Sequence, residues 1–209
     1  MKQAFITMLN MQNKMNQKVH ADWPAQNFEW YRATWIECGE LVDHYGYKWW
    51  KAQAPDMDQV KLEVIDIWHF GMSALFKGQA IEAIAEAMVA ELEGYQYQNQ
   101  GVIAATEALA QNSLATKSFS VALFWDLLNA CEMSFDELYR QYVGKNVLNF
   151  FRQDNGYKDG SYVKQWQGRE DNEHLVEILN ELDASGNGFA EQVYQGLNQR
   201  YQNLALAAT

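Results

Sequence analysis

At 209 residues the chain is long enough to bury a substantial core within one domain, expected to span 1–209. Hydrophobic residues at 48% and aromatics at 14% exclude a disordered chain, while 16 Lys and Arg against 27 Asp and Glu leave a formal net charge of −11, the wrong sign for gripping polymeric DNA or RNA. Only two prolines, plentiful Ala, Leu, Gln, Glu and Met, and few β-branched runs favour helices over strands, so the expected fold class is all-α.

In chain order, residues 1–20 carry Phe5, Met8, Leu9, Met11, Met15 and Val19 at helical spacing, with Gln12, Asn13 and Asn16 on the polar side and a turn near Pro24. A second helix runs from Phe28 to about Tyr45 and is broken by Gly46 and Pro55; a third starts near Asp56 to Asp58 and ends about Phe76. A fourth covers Gln79 to Glu93, stopped by Gly94, and residues 101–115 and 118–131 give two more. Ser134 and Glu137, spaced as a capping box, open a helix that reaches about Arg152. Residues 152–172, rich in Gly, Asp and Asn, read as a loop; "EHLVEILNELD" is helical, and the tail from Phe189 forms one more helix. "DASGNG" at 183–188 resembles the start of a calcium loop, but Tyr194 stands where a bidentate Glu is needed, so it reads as a helix stop.

Cys38 and Cys131 form no CxxC pair, which argues against a disulfide framework or thiolate zinc site and for reduced core residues. No charged and then apolar leader opens the chain and no apolar run approaches the ~20 residues of a bilayer span, so a cytoplasmic location without membrane contact is expected.

The chemistry concentrates in two acid pairs. In "EVIDIWHF", residues 63–70, Glu63 and Asp66 share one stripe of a helix whose remaining directions are apolar, with His69 at its edge. "ECGE" repeats the spacing with Glu37 and Glu40, His44 joining their stripe. Ionised carboxylates inside a cleft need positive charge, and four of them without matching lysines or arginines suit a hard divalent cation such as Mg²⁺ or Mn²⁺. Such pairs also occur on ordinary solvated helix faces, so spacing alone leaves both readings standing. Zinc is disfavoured for want of HExxH or a Cys/His cluster, and His44 and His69 read as structural histidines beside the acids.

Six of the sixteen cationic residues fall within 140–169, interleaved with Tyr157, Tyr162 and Trp166, glycines, and Asn149, Asn155 and Asn172. Phosphate charges, stacking surfaces and amides of this kind suit a nucleotide, although a solvated loop with aromatic anchors has the same composition. GxxxxGK[ST] and GxGxxG motifs are absent, which excludes P-loop and Rossmann phosphate sites. "YKWWK" at 47–51 fits either a base-stacking tryptophan or an interface anchor.

"ECGE", "YKWWK", "EVIDIWHF" and "LNFFRQDNGYKDGSYVKQWQGREDN" at 148–172 together resemble the dimeric all-α dUTPases, relatives of the all-α NTP pyrophosphatases. The resemblance implies a helical bundle with paired carboxylate helices, in which Glu37, Glu40, Glu63 and Asp66 hold Mg²⁺ ions and Glu40 also orients the attacking water. It implies contacts to nucleotide or phosphates from Lys145, Asn149, Arg152, Tyr157, Lys158, Lys164 and Asn172. It places Gln12 and Asn16 of "LNMQNKMN" at the uracil, Trp50 near the base and His69 beneath the deoxyribose. The implied substrate is dUTP, with dUDP as a second, the products are dUMP and pyrophosphate, and the implied assembly is a homodimer. Residues 79–135 carry no family motif. A pyrophosphatase for another nucleotide such as dCTP, or a non-catalytic helical nucleotide-binding protein, remain the alternative readings.

Overall fold

The computed structural model describes residues 1–184 and 188–207. Residues 185–187 of the "DASGNG" helix stop at 183–188 lie outside the described residues. The chain divides into two compact units, Met1–Leu138 and Tyr139–Thr209.

The first unit holds α1 (Lys2–Val19), one turn of 3-10 helix at Trp23–Gln26 with Pro24 near its start, α2 (Trp30–Tyr45), α3 (Met57–Leu75), α4 (Ile81–Leu92), α5 (Val102–Thr116), α6 (Val121–Ala130) and the opening turn of α7 (Phe135–Asp154). The periodicity of each segment predicted these helices to within a few residues. Asp56 caps α3 by accepting the Gln59 N–H at 3.2 Å. Ser134 likewise accepts the Glu137 N–H at 3.1 Å, while the Glu137 carboxylate takes Lys61 Nζ at 2.7 Å.

α3 is the axis of this unit. Val60, Val64, Ile65, Ile67, Trp68 and Met72 are all buried, in keeping with its lack of a broad polar face. Trp68 stacks on Phe124 with centroids 4.6 Å apart, and Phe5, Trp125 and Phe135 pack around the pair. The Phe119 ring lies so close to α3 that a Cβ at Gly71 would stand 2.4 Å from it. The connection from α4 to α5 is tied down by the buried Asp126 carboxylate, which accepts Tyr95 Oη–H at 2.6 Å and the Gln98 N–H at 2.9 Å.

α1 departs from expectation. Gln12 and Asn16, read as its polar side, are buried on the same face as Phe5, Met8 and Leu9. Their amides find hydrogen-bond partners on α3, which removes the cost of taking them out of water.

The second unit contains most of α7, α8 (Asp171–Glu181) and α9 (Phe189–Ala207). The segment read as a loop contains a small hairpin, β1 (Gln165–Trp166) antiparallel to β2 (Arg169–Glu170). Its two turn residues, Gln167 and Gly168, both have positive φ, as the tight turns that suit strand twist require. Trp166 is fully buried, stacked on His174 and surrounded by Phe151, Tyr162 and Tyr201. Glu173 accepts the Glu170 N–H at 2.8 Å and closes the start of α8.

Candidate active site

α2 and α3 pack along each other in the first unit, with Thr34, Cys38 and Leu41 forming the buried face of α2. Their i,i+3 acids meet as a result: one carboxylate oxygen from each of Glu37, Glu63 and Asp66 lies within 4.8 Å of the others. Glu63 is buried, and Glu37 and Asp66 are half-buried. Burial first, then a hydrogen bond with Glu63 and the charges of Asp66, Glu40 and Glu63, push the Glu37 carboxyl up to about 8. Glu40, the fourth acid, is exposed and stands outside this group, yet its charge still acts on Glu37. His44 Nε2 lies 3.6 Å from Glu63 Oε1, beside the acids as its spacing suggested.

A second cluster joins α1 to α3. Gln12 Nε2 donates to Asn16 Oδ1 and to Ser73 Oγ, both at 3.0 Å, and Asn16 Nδ2 donates to Ser73 Oγ at 3.0 Å. Gln12 Oε1 meets His69 Nδ1 at 2.8 Å, and Ser73 Oγ–H donates to the His69 carbonyl at 3.0 Å. Three residues expected at the nucleoside, Gln12, Asn16 and His69, are therefore brought into one buried network. Sequence reasoning missed its hub, Ser73, whose only signal was its place one turn beyond His69. Trp50, in the connection between α2 and α3, is 60% exposed, its ring edge-on to Tyr47 and Trp49.

In the second unit, Asn149 and Arg152 lie one turn apart on α7, with Arg152 Nη1 3.4 Å from Asn149 Oδ1. The Arg152 fork is held by Asp171, Nε to Oδ2 and Nη2 to Oδ1, both at 2.8 Å, and Tyr162 Oη–H donates to Asp171 at 2.8 Å. That bidentate lock was not read from the sequence. Lys145 is half-buried on α7; Tyr157 and Lys158 are exposed; Lys164, also exposed, pairs with Glu170 at 3.5 Å; Asn172 sits in the first turn of α8.

Facing helices that converge three carboxylates, one of them also carrying part of a buried amide network, define a helical, acid-based site of the kind that holds a divalent cation. A family model described as dUTPase matches residues 4–157, which include both acid pairs and the amide network. The chain belongs to the all-α dUTPase family. It is a dUTP diphosphatase, acting on a nucleotide, and enzymes of this family generally use a divalent metal. Among curated proteins no sequence matches the chain. No helix among the described residues is long and apolar enough to cross a membrane.

Proposed function

We propose that the chain hydrolyses dUTP to dUMP and pyrophosphate in a Mg²⁺-dependent reaction. One observation supports this reading above all: the convergence of Glu37, Glu63 and Asp66 oxygens within 4.8 Å. The donors fit the ion, since all are hard oxygens, and burial first, then the neighbouring carboxylates, raise the Glu37 carboxyl, a cost that a bound cation would offset. Glu37, Glu63 and Asp66, joined by Glu40, would hold Mg²⁺, which when bound neutralises triphosphate charge and acidifies water. Glu40 orients the attacking water and accepts its proton. The water oxygen bonds to phosphorus while the bridge between the α- and β-phosphorus opens, its electron pair staying on the bridging oxygen.

Gln12 and Asn16 read the uracil, His69 packs beneath the deoxyribose and Trp50 stacks near the base. In the second unit Lys145, Asn149, Arg152, Tyr157, Lys158, Lys164 and Asn172 bind nucleotide and phosphates, and dUDP is a second substrate. The chain acts as one functional domain, a reading supported by a family match that runs from the first unit into the second. It works as a cytoplasmic homodimer.

Pyrophosphate release from dUTP, dTTP, dCTP and UTP, with and without Mg²⁺, tests the proposal. Turnover of dUTP that collapses in chelator and returns with Mg²⁺ is expected; indifference to chelator, or equal turnover of dCTP, overturns it.

A further inference from the structure

The hydrogen bonds around Ser73 have a direction that follows from the backbone. Ser73 Oγ lies 3.0 Å from the carbonyl of His69, one turn earlier on α3, and a carbonyl can only accept. The single hydroxyl hydrogen is therefore committed to His69. Ser73 Oγ can then only accept from its other neighbours, so the amide atoms facing it, from Gln12 and Asn16, are both NH₂ groups. With both Gln12 N–H bonds directed to Ser73 and Asn16, the atom of Asn16 that meets Gln12 is its oxygen. Gln12 Oε1 is then the acceptor for His69 Nδ1, which must carry the ring proton. One serine thus fixes two amide orientations and one histidine tautomer.

Asn16 is left with one N–H and one oxygen lone pair beyond these bonds, at positions that cannot exchange. Exchanging them requires both amides to reverse and the His69 proton to move to the other ring nitrogen. That arrangement would present two carbonyl oxygens to Ser73, whose hydrogen is already given away. In a site where Ser73 is fully buried and Gln12 and Asn16 nearly so, such acceptor–acceptor contacts are not relieved by water.

Uracil and cytosine differ by the reversal that this lock forbids. Uracil offers an acceptor at O4 and a donor at N3–H; cytosine offers a donor at N4 and an acceptor at N3. An amide free to turn over serves either base, whereas a fixed one meets cytosine donor to donor or acceptor to acceptor. We propose that Ser73 is a specificity-determining positioning residue, whose hydroxyl polarises the Gln12–Asn16 pair so that uracil is accepted and cytosine refused. The proposal rests on the reading that Asn16 contacts the base.

The test compares kcat/KM for dUTP and dCTP in wild type, Ser73→Ala, Ser73→Thr and Asn16→Ala. Ser73→Ala should reduce the dUTP preference about tenfold or more, with dCTP gaining, because the penalty on a mismatched polar contact is removed; Ser73→Thr, which keeps a hydroxyl, should restore it. Equal loss on both nucleotides in Ser73→Ala, with the ratio unchanged, overturns the proposal. If Asn16→Ala leaves the ratio at the wild-type value, the base assignment itself falls and the proposal with it. If Asn16→Ala abolishes the preference while Ser73→Ala preserves it, only the proposal falls. Nitrogen NMR of the wild-type histidines gives a readout independent of how the variants fold: a proton on Nδ1 of His69 is expected, and one on Nε2 alone overturns the lock.

Discussion

Glu40, proposed above to orient the attacking water, and Asp171 are both acids, but they stand in opposite surroundings. Glu40 is exposed and contributes nothing to the core, so Glu40→Gln should remove nearly all dUTP turnover while leaving the thermal midpoint within about a degree or two, a small effect being usual for surface substitutions. Retained turnover in a stopped-flow or steady-state assay would refute its role in catalysis. Asp171 is fully buried. Burial works against its charge, but the hydrogen bonds and charge of Arg152, then the Tyr162 hydroxyl, outweigh it and hold the carboxyl below its ordinary value. A depressed carboxyl favours the folded state above its unfolded pKa, and that contribution is lost as pH falls through the folded value. Asp171→Asn should therefore destabilise the second unit by about 3 kcal/mol at neutral pH, since it strands the buried Arg152 charge. The gap between variant and wild type should narrow in acid below about pH 4, as measured by denaturant titration at several pH values. An unchanged gap would mean that the ion pair is not what Asp171 contributes.

At the scale of elements, α3, which carries Glu63 and Asp66, packs tightly against its neighbours. Gly71 faces Phe119 with no room for a methyl group. Gly71→Ala should cost about 1–3 kcal/mol through overpacking, and adding Phe119→Leu should recover part of it, a coupling readable as a double-mutant cycle by thermal melts. Additive losses would place the strain elsewhere. Most helices were legible because apolar residues recur at helical spacing, and the acid pairs were legible because i,i+3 carboxylates on an otherwise apolar helix stand out. The hairpin at 165–170 was not, since its strands are two residues long and Gln167-Gly168 lacks the Asn-Gly or Asp-Gly pattern that marks such turns. Ser73 and the Arg152–Asp171 lock escaped notice for a different reason. A serine in an apolar helix and an aspartate after a loop acquire their roles only from what approaches through space, which periodicity does not report. The same holds for Gln12 and Asn16: polar residues imply a solvated face unless partners on α3 are known.

At the scale of the whole molecule, several large apolar side chains stay uncovered, among them Trp35, Ile36, Trp49 and Trp50. Exposed patches of this kind commonly mark association surfaces, and the proposed homodimer should give a sedimenting species of twice the chain mass at micromolar concentration; a single-chain mass there would count against it. The distribution of sulfur offers a finer instrument. Both cysteines belong to the first unit, both are buried, and burial first raises each thiol to about 12, with the Glu37 charge adding to the rise at Cys38. A maleimide or aromatic disulfide reagent should thus leave the native protein almost unlabelled at neutral pH and react only during excursions that open α2 or the end of α6. Because the second unit has no cysteine at all, the labelling rate is a clock for the first unit, and its Cys38 component ticks at the frequency with which the acid-bearing α2 opens.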